Sequence, residues 1–77
     1  MTQFDKELDV RGLNCPLPLL RTKKTLSQME PGQVLRVLTT DPAAEIDFKV
    51  FSGLTGNKIL SLKKAEKHLV FFLRKKS

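Results

Sequence analysis

The sequence predicts an α+β domain: a two-layer α/β sandwich in the order β-α-β-α-β-β, with a mixed four-stranded sheet and two helices on one of its faces. Three observations carry this prediction. The apolar pattern alternates between a period of two and a period near 3.6 along the chain. The helical stretches are punctuated, with Cys15-Pro16 and Asp41-Pro42 at their starts and Pro31-Gly32 and Gly56-Asn57 at their ends. The chain has 77 residues, 40% of them hydrophobic and five of them Phe, enough for one two-layer domain spanning residues 1–77 and too apolar for a disordered chain.

Phe4 to Val10 alternates, placing Phe4, Leu8 and Val10 on one face and Asp5, Glu7 and Asp9 on the other, as in a half-buried strand. Arg11-Gly12-Leu13-Asn14 is a connecting loop. From Pro16 to about Met29, the residues Leu19, Thr22, Leu26 and Met29 fall on one helical face, and Glu30-Pro31-Gly32 ends the helix. Gln33 to Thr40 is nearly continuous apolar sequence, which suits a central strand, and Arg36 interrupts it toward the open face of the sheet. Asp41 is the expected cap of a second helix, with Pro42 at its first position. Ala44, Phe48, Phe51 and Thr55 then form its core stripe, widened by Val50 and Leu54. Lys58–Leu62 and Leu69–Leu73 are two further strands joined by Lys63–Lys67 as a hairpin, and Arg74–Ser77 is expected to fray. His68 is expected at the surface.

Charge is unevenly spread. Residues 58–77 carry seven Lys/Arg and one acid, whereas residues 1–57 carry seven of each, so the net +6 lies in the last quarter of the chain. A basic C-terminal hairpin suits nucleic acid or an acidic partner; it equally suits a solvated edge that resists strand addition. One Cys and one His form no metal-ligand cluster, so no metal is expected, and one cysteine forms no disulfide within the chain. Met1–Glu7 is polar and mixed in charge, predicting no secretion leader, and no apolar run approaches a membrane span. A free thiol in such a chain predicts a cytoplasmic, reducing location.

The single cysteine lies in Cys15-Pro16-Leu17-Pro18, where a strand gives way to a helix. A thiol at a helix N-terminus meets unpaired N–H groups and the positive end of the macrodipole, both of which favour thiolate. With Cys15 as cap and Pro16 at the first helical position, Leu17 offers the one nearby amide, because neither proline has an N–H. The sulfur would then be held mainly by the dipole and remain reactive. The same cysteine also fits a small buried hydrophobe.

The run Leu8-Asp9-Val10-Arg11-Gly12-Leu13-Asn14-Cys15-Pro16-Leu17-Pro18 resembles the signature of the TusA/SirA-like family of small sulfur carriers. The likeness continues through Met29-Glu30-Pro31-Gly32, Asp41-Pro42-Ala43, Asp47-Phe48 and Phe51, from about Leu8 to Arg74. It implies the fold already inferred and a persulfide relay. In that relay Cys15 takes sulfur from a cysteine desulfurase or another persulfide donor and passes it to a downstream acceptor. The relay would end in tRNA 2-thiolation, sulfur oxidation, or cofactor or selenium metabolism. Around the sulfur the resemblance places Arg11, Gly12, Asn14, Pro16, Leu17, Pro18 and Arg21, with the two arginines in reach of a persulfide anion. It implies no cofactor on this chain, since pyridoxal phosphate stays on the donor. It fits a monomer that docks in turn on two partners, with at most indirect or weak tRNA contact. Many tRNA-pathway members carry an acid between the two prolines; Leu17 stands there in this chain, which bears on partner choice. The rival reading is a non-catalytic module that binds nucleic acid or a regulator through Lys63, Lys64 and Lys67.

Overall fold

Alternation and helical period produce the expected six elements in the expected order. The computed structural model describes residues 3–76: β1 (Lys6–Asp9), α1 (Leu17–Ser27), β2 (Val34–Thr39), α2 (Ala44–Thr55), β3 (Lys58–Lys64) and β4 (Leu69–Arg74). Met1 and Thr2, the first residues of the stretch read as lacking a leader, lie outside the described residues, as does Ser77. The sheet order is β1-β2-β4-β3, with β1 parallel to β2 and the other two pairs antiparallel.

The period-two pattern of the central strands sorts their side chains between two environments. Leu35, Val37, Phe71 and Leu73 face the helices, where they bury Leu26 of α1, Met29 just beyond its end, and Ala44, Phe48 and Phe51 of α2. Leu38, Val70 and Phe72 form a smaller cluster on the opposite face, with Val34 against it. Arg36 belongs to that open face, where its Nη1 donates to Glu7 Oε1 at 3.0 Å. Both helices therefore cover the same side of the sheet, and β2 is covered on both sides.

Four expectations are corrected. Phe4 does not join Leu8 and Val10. Asp5 Oδ2 accepts the Val34 N–H at 2.8 Å, the chain bends there, and β1 starts only at Lys6. The Phe4 ring thus falls on the open face, 6.2 Å from the Phe72 ring and beneath the Arg36 guanidinium. Val50 and Leu54 do not widen the core; they are 55% and 82% exposed. Helical geometry turns them roughly 90–130° away from the Phe48 stripe, and a two-layer fold has nothing to cover that flank. Arg74–Lys76 do not fray: Lys75 exchanges backbone hydrogen bonds with Gly32 and Gln33, and the Lys76 N–H donates to Asn57 Oδ1 at 2.8 Å. Finally, β3 runs on to Lys64, with a bulge between Ile59 and Ser61, and the turn is closed by the Ala65 N–H on the His68 carbonyl at 2.9 Å.

α2 stops where the sequence says it should. Gly56 adopts φ 81° and its N–H reaches the Ser52 carbonyl at 2.9 Å. A Cβ there would meet only the flexible end of the Lys76 side chain, at 2.8 Å, so it is the backbone conformation that requires glycine.

Candidate functional site

Parallel pairing of β1 and β2 puts their C-terminal ends side by side, so the loops that follow them share one end of the molecule. The loop after β1 carries Cys15, which is exposed, and the turn after β2 carries Asp41. Asp47, one turn into α2, completes the group. The Cys15 sulfur and a carboxylate oxygen from each aspartate all lie within 4.8 Å of one another.

The helix start differs from the expected geometry. Pro16, not Cys15, is the cap residue of α1, with φ −98° and ψ 11°; the Cys15–Pro16 peptide is cis. Leu17 is the first helical residue, and its N–H donates to the Asn14 carbonyl at 2.9 Å. The one amide expected to serve the sulfur is therefore spent within the loop. Pro18 is buried, and its carbonyl accepts the Thr22 hydroxyl at 2.8 Å, which ties the first turn to the core.

The electrostatics are reversed as well. The Cys15 thiol is pushed up from its ordinary pKa, first by hydrogen bonding to the Asp47 carboxylate, then by partial burial, then by the charges of Asp47 and Asp41. The expectation of a thiolate set by the helix dipole is overturned. Two carboxylates close to the sulfur outweigh a dipole end whose amides are missing or already used.

The expected neighbours divide. Arg11 folds back on Asp9, with Nε at 2.9 Å and Nη2 at 2.8 Å from its two carboxylate oxygens, so its charge is committed there and not to the sulfur. Arg21 faces a shallow cleft between α1 and β1, with Leu8, Leu17, Leu20 and Lys24, and Cys15 is not part of that cleft. Gly12 donates its N–H to Thr40 Oγ1 at 2.8 Å, linking the β1–α1 loop to the end of β2. Asn14, Pro16, Leu17 and Pro18 build the helix start as described, and Leu17 is solvent-exposed beside the sulfur.

Asp41 and Asp47 are the residues that sequence reading leaves out of the site. Asp41 is only 5% exposed and is not the cap of α2: Ala43 holds that position without a side-chain cap hydrogen bond, and Asp41 lies two residues earlier, its Oδ1 accepting the Ala43 N–H at 3.0 Å in the turn that leads into the helix. The available signal was topological: parallel first and second strands bring the Cys15 loop beside the Asp41 turn. The donor set mixes one soft sulfur with two hard carboxylates, one already engaged by the Ala43 N–H, a poor match to any one common metal.

Asp9 titrates at about 2, lowered mainly by the Arg11 side chain and then by the Arg11 N–H. Its folded value is depressed. The fork is therefore complete above the usual carboxylate range near pH 4 and opens as pH falls from about 4 to about 2. The Arg11 amide resonance should hold its position down to about pH 4 and move only below it; movement centred near neutrality would show that Asp9 is not its partner.

The basic residues do not form one patch. Lys64 and Lys49 both pair with Glu45 at 3.3 Å, and Lys63 lies over the Phe72 ring near the hairpin turn. Lys58 pairs in register with Arg74 at the opposite end of β3 and β4, beside Lys75 and Lys76. A strand of six residues separates the two groups by roughly 20 Å.

A family model described as Sulfurtransferase TusA matches residues 6–75. The chain is 49% identical over 75 residues to a sulfur carrier protein TusA of Allochromatium vinosum, covering 97% of this chain and 99% of that one. It is 33% identical over 73 residues to a sulfur carrier protein TusA of Pseudomonas entomophila, covering 95% and 91%. Among solved structures, a SirA-like protein of Desulfitobacterium hafniense superposes with a TM-score of 0.81 at 23% identity, covering 95% of this chain and all of that one, which shows the shared fold.

Proposed function

We propose, from the premise that this chain belongs to the TusA family and is a sulfur carrier of that type, that Cys15 is the residue that carries the sulfur. One observation supports this above the others: the only thiol of the chain is exposed on the loop between β1 and α1. A carrier needs one accessible sulfur and no second thiol beside it, because a resolving cysteine would attack the persulfide and expel sulfide.

The transfer balances without an outside oxidant. Cys15 Sγ attacks the outer sulfur of a donor persulfide. The Sγ–S bond forms, the donor S–S bond breaks, and its electron pair stays on the donor sulfur, which takes the proton lost by Cys15. Cys15 is oxidised to the persulfide level as the donor cysteine is reduced to a thiol. Delivery is the same exchange with an acceptor thiol as the attacking group. No cofactor on this chain takes part. A cysteine desulfurase, with its own pyridoxal phosphate, supplies such a donor persulfide, and tRNA thiolation is one route such sulfur would follow. A carrier of this kind works as a monomer in the cytoplasm. Among the described residues no helix is long and apolar enough to cross a membrane.

The test is intact-protein mass spectrometry after incubation with a cysteine desulfurase, pyridoxal phosphate and free cysteine. The wild type should gain one sulfur atom that reductant removes, and Cys15→Ala should gain none. An equal gain on the alanine variant would overturn the assignment of Cys15. The rival reading as a nucleic-acid module draws no support from lysines that are split between two ends and partly paired with Glu45.

A further inference from the structure

Neither aspartate beside Cys15 is paired with a cation among the described residues. Arg11 is engaged by Asp9, Arg36 by Glu7, and Lys49 and Lys64 by Glu45. Among the described residues no ion pair reaches Asp41 or Asp47. The β3–β4 turn adds Lys67 and His68, which line a cleft with Asp41 without an ion pair to it among the described residues; the other elements at this end contribute negative charge or a charge already neutralised. The β2–α2 turn supplies Asp41 and α2 supplies Asp47, while the β1–α1 loop supplies only the closed Asp9–Arg11 pair. His68, before β4, acts on Asp9. The arrangement is also held firmly. Asp41 is buried and fixed by the Ala43 N–H, and Asp47 sits between Ile46, which faces solvent, and Phe48, which anchors α2 in the core.

Resting on the assignment of Cys15 as the carrier residue, we infer that Asp47, backed by Asp41, is a positioning residue that holds Cys15 as a protonated, strongly basic thiol, so that the sulfur-exchange equilibrium favours the loaded carrier, which surrenders its sulfur slowly. The geometry, three donor atoms within 4.8 Å and no ion pair to either carboxylate among the described residues, supports this. The raised proton affinity of the thiol agrees with it. The consequence follows from thiol exchange chemistry. A more basic sulfur is the stronger nucleophile once deprotonated and the poorer leaving group, so sulfane sulfur moves toward it. In uptake, the bond to the donor sulfur breaks in favour of the bond to Cys15; in delivery, Cys15 leaves as a thiolate against the field of two carboxylates. The free carrier is also protected, because a protonated thiol is slow to oxidise.

The experiment is the rate of Cys15 alkylation by iodoacetamide against pH, on unloaded full-length wild type, Asp47→Asn, Asp41→Asn and Glu45→Gln. Asp41→Asn keeps the side-chain oxygen that accepts the Ala43 N–H, so the fold survives if the Asp47 variant does not. Glu45 is an α2 acid that faces Lys49 and Lys64 instead of the sulfur and controls for general charge. The wild-type midpoint should lie above that of an unfolded cysteine peptide. It should fall in Asp47→Asn, fall less in Asp41→Asn, and stay put in Glu45→Gln. At neutral pH, alkylation should accelerate about threefold for each unit by which the midpoint falls, because tenfold more thiolate is partly offset by weaker nucleophilicity. An unchanged midpoint in folded Asp47→Asn, or an equal fall in Glu45→Gln, overturns the inference. This readout involves no sulfur transfer. A failure of persulfide loading would sink the carrier assignment and leave the titration result standing, and the reverse outcome would do the opposite.

Discussion

Phe48→Ala should lower the stability of this domain by about 3–5 kcal/mol. Phe48 is fully buried, and its ring centre lies 4.5 Å from that of Phe71, so α2 is joined to β4 through this contact. A chain of this size holds on the order of 4–12 kcal/mol in total. The loss therefore consumes a large share of it, with no disulfide to compensate. Urea unfolding followed by far-ultraviolet circular dichroism should show the midpoint collapsing toward zero denaturant, while Cys15→Ala leaves it in place. A loss below about 1 kcal/mol would mean that the neighbours close over the missing ring, and that α2 is held elsewhere.

Asp41→Ala should have the second largest effect, and a divided one. It removes the oxygen that accepts the Ala43 N–H and leaves a donor unsatisfied at a nearly buried position. Loss of this acceptor at the entry to α2 costs about 1–2 kcal/mol, and for a domain of this length each kcal/mol is about 4–8 °C in Tm. A fall of roughly 5–15 °C is expected, whereas Asp41→Asn, which keeps the acceptor, should stay close to the wild type. Both variants remove the charge next to Cys15. Stability and sulfur reactivity therefore separate: alanine changes both and asparagine only the second. Equal Tm values for the two variants would show that the carboxylate charge, and not the hydrogen bond from Ala43, supports the start of α2.

The elements that could be read from the sequence are those whose information is local. Strand alternation around Leu8, the β-branched run through Val37 and the 3.6 period through Phe48 each specify an element from within itself, and Pro42 and Gly56 specify where α2 starts and stops. The readings that failed depended on what lies across space. Whether Leu54 is core or surface depends on whether a third layer exists above α2, and no residue of α2 encodes that. Phe4 continues the alternation of β1 on paper, but Asp5 captures an amide of β2 and breaks the pattern. The site shows the same division. Cys15 could be found from its own motif. Its proton affinity could not, because Asp47 lies 32 positions further along and reaches the sulfur only through the pairing of β1 with β2. Arg11 misled for a related reason: it is next to the site in sequence, yet its own neighbour Asp9 binds it first.

The position of β4 bears on how the molecule is made. It is the last of the six elements along the chain, yet it lies between β2 and β3 and supplies Phe71 and Leu73 to the centre of the core. During synthesis, at about 5–20 residues per second, everything up to the hairpin turn emerges with its sheet unfinished. The apolar edge of β2 then has no partner until residues 69–74 leave the ribosome. Folding is therefore a single late event, and a ribosome stalled a few codons before that strand would release a chain that presents an open template for aggregation instead of a shortened carrier.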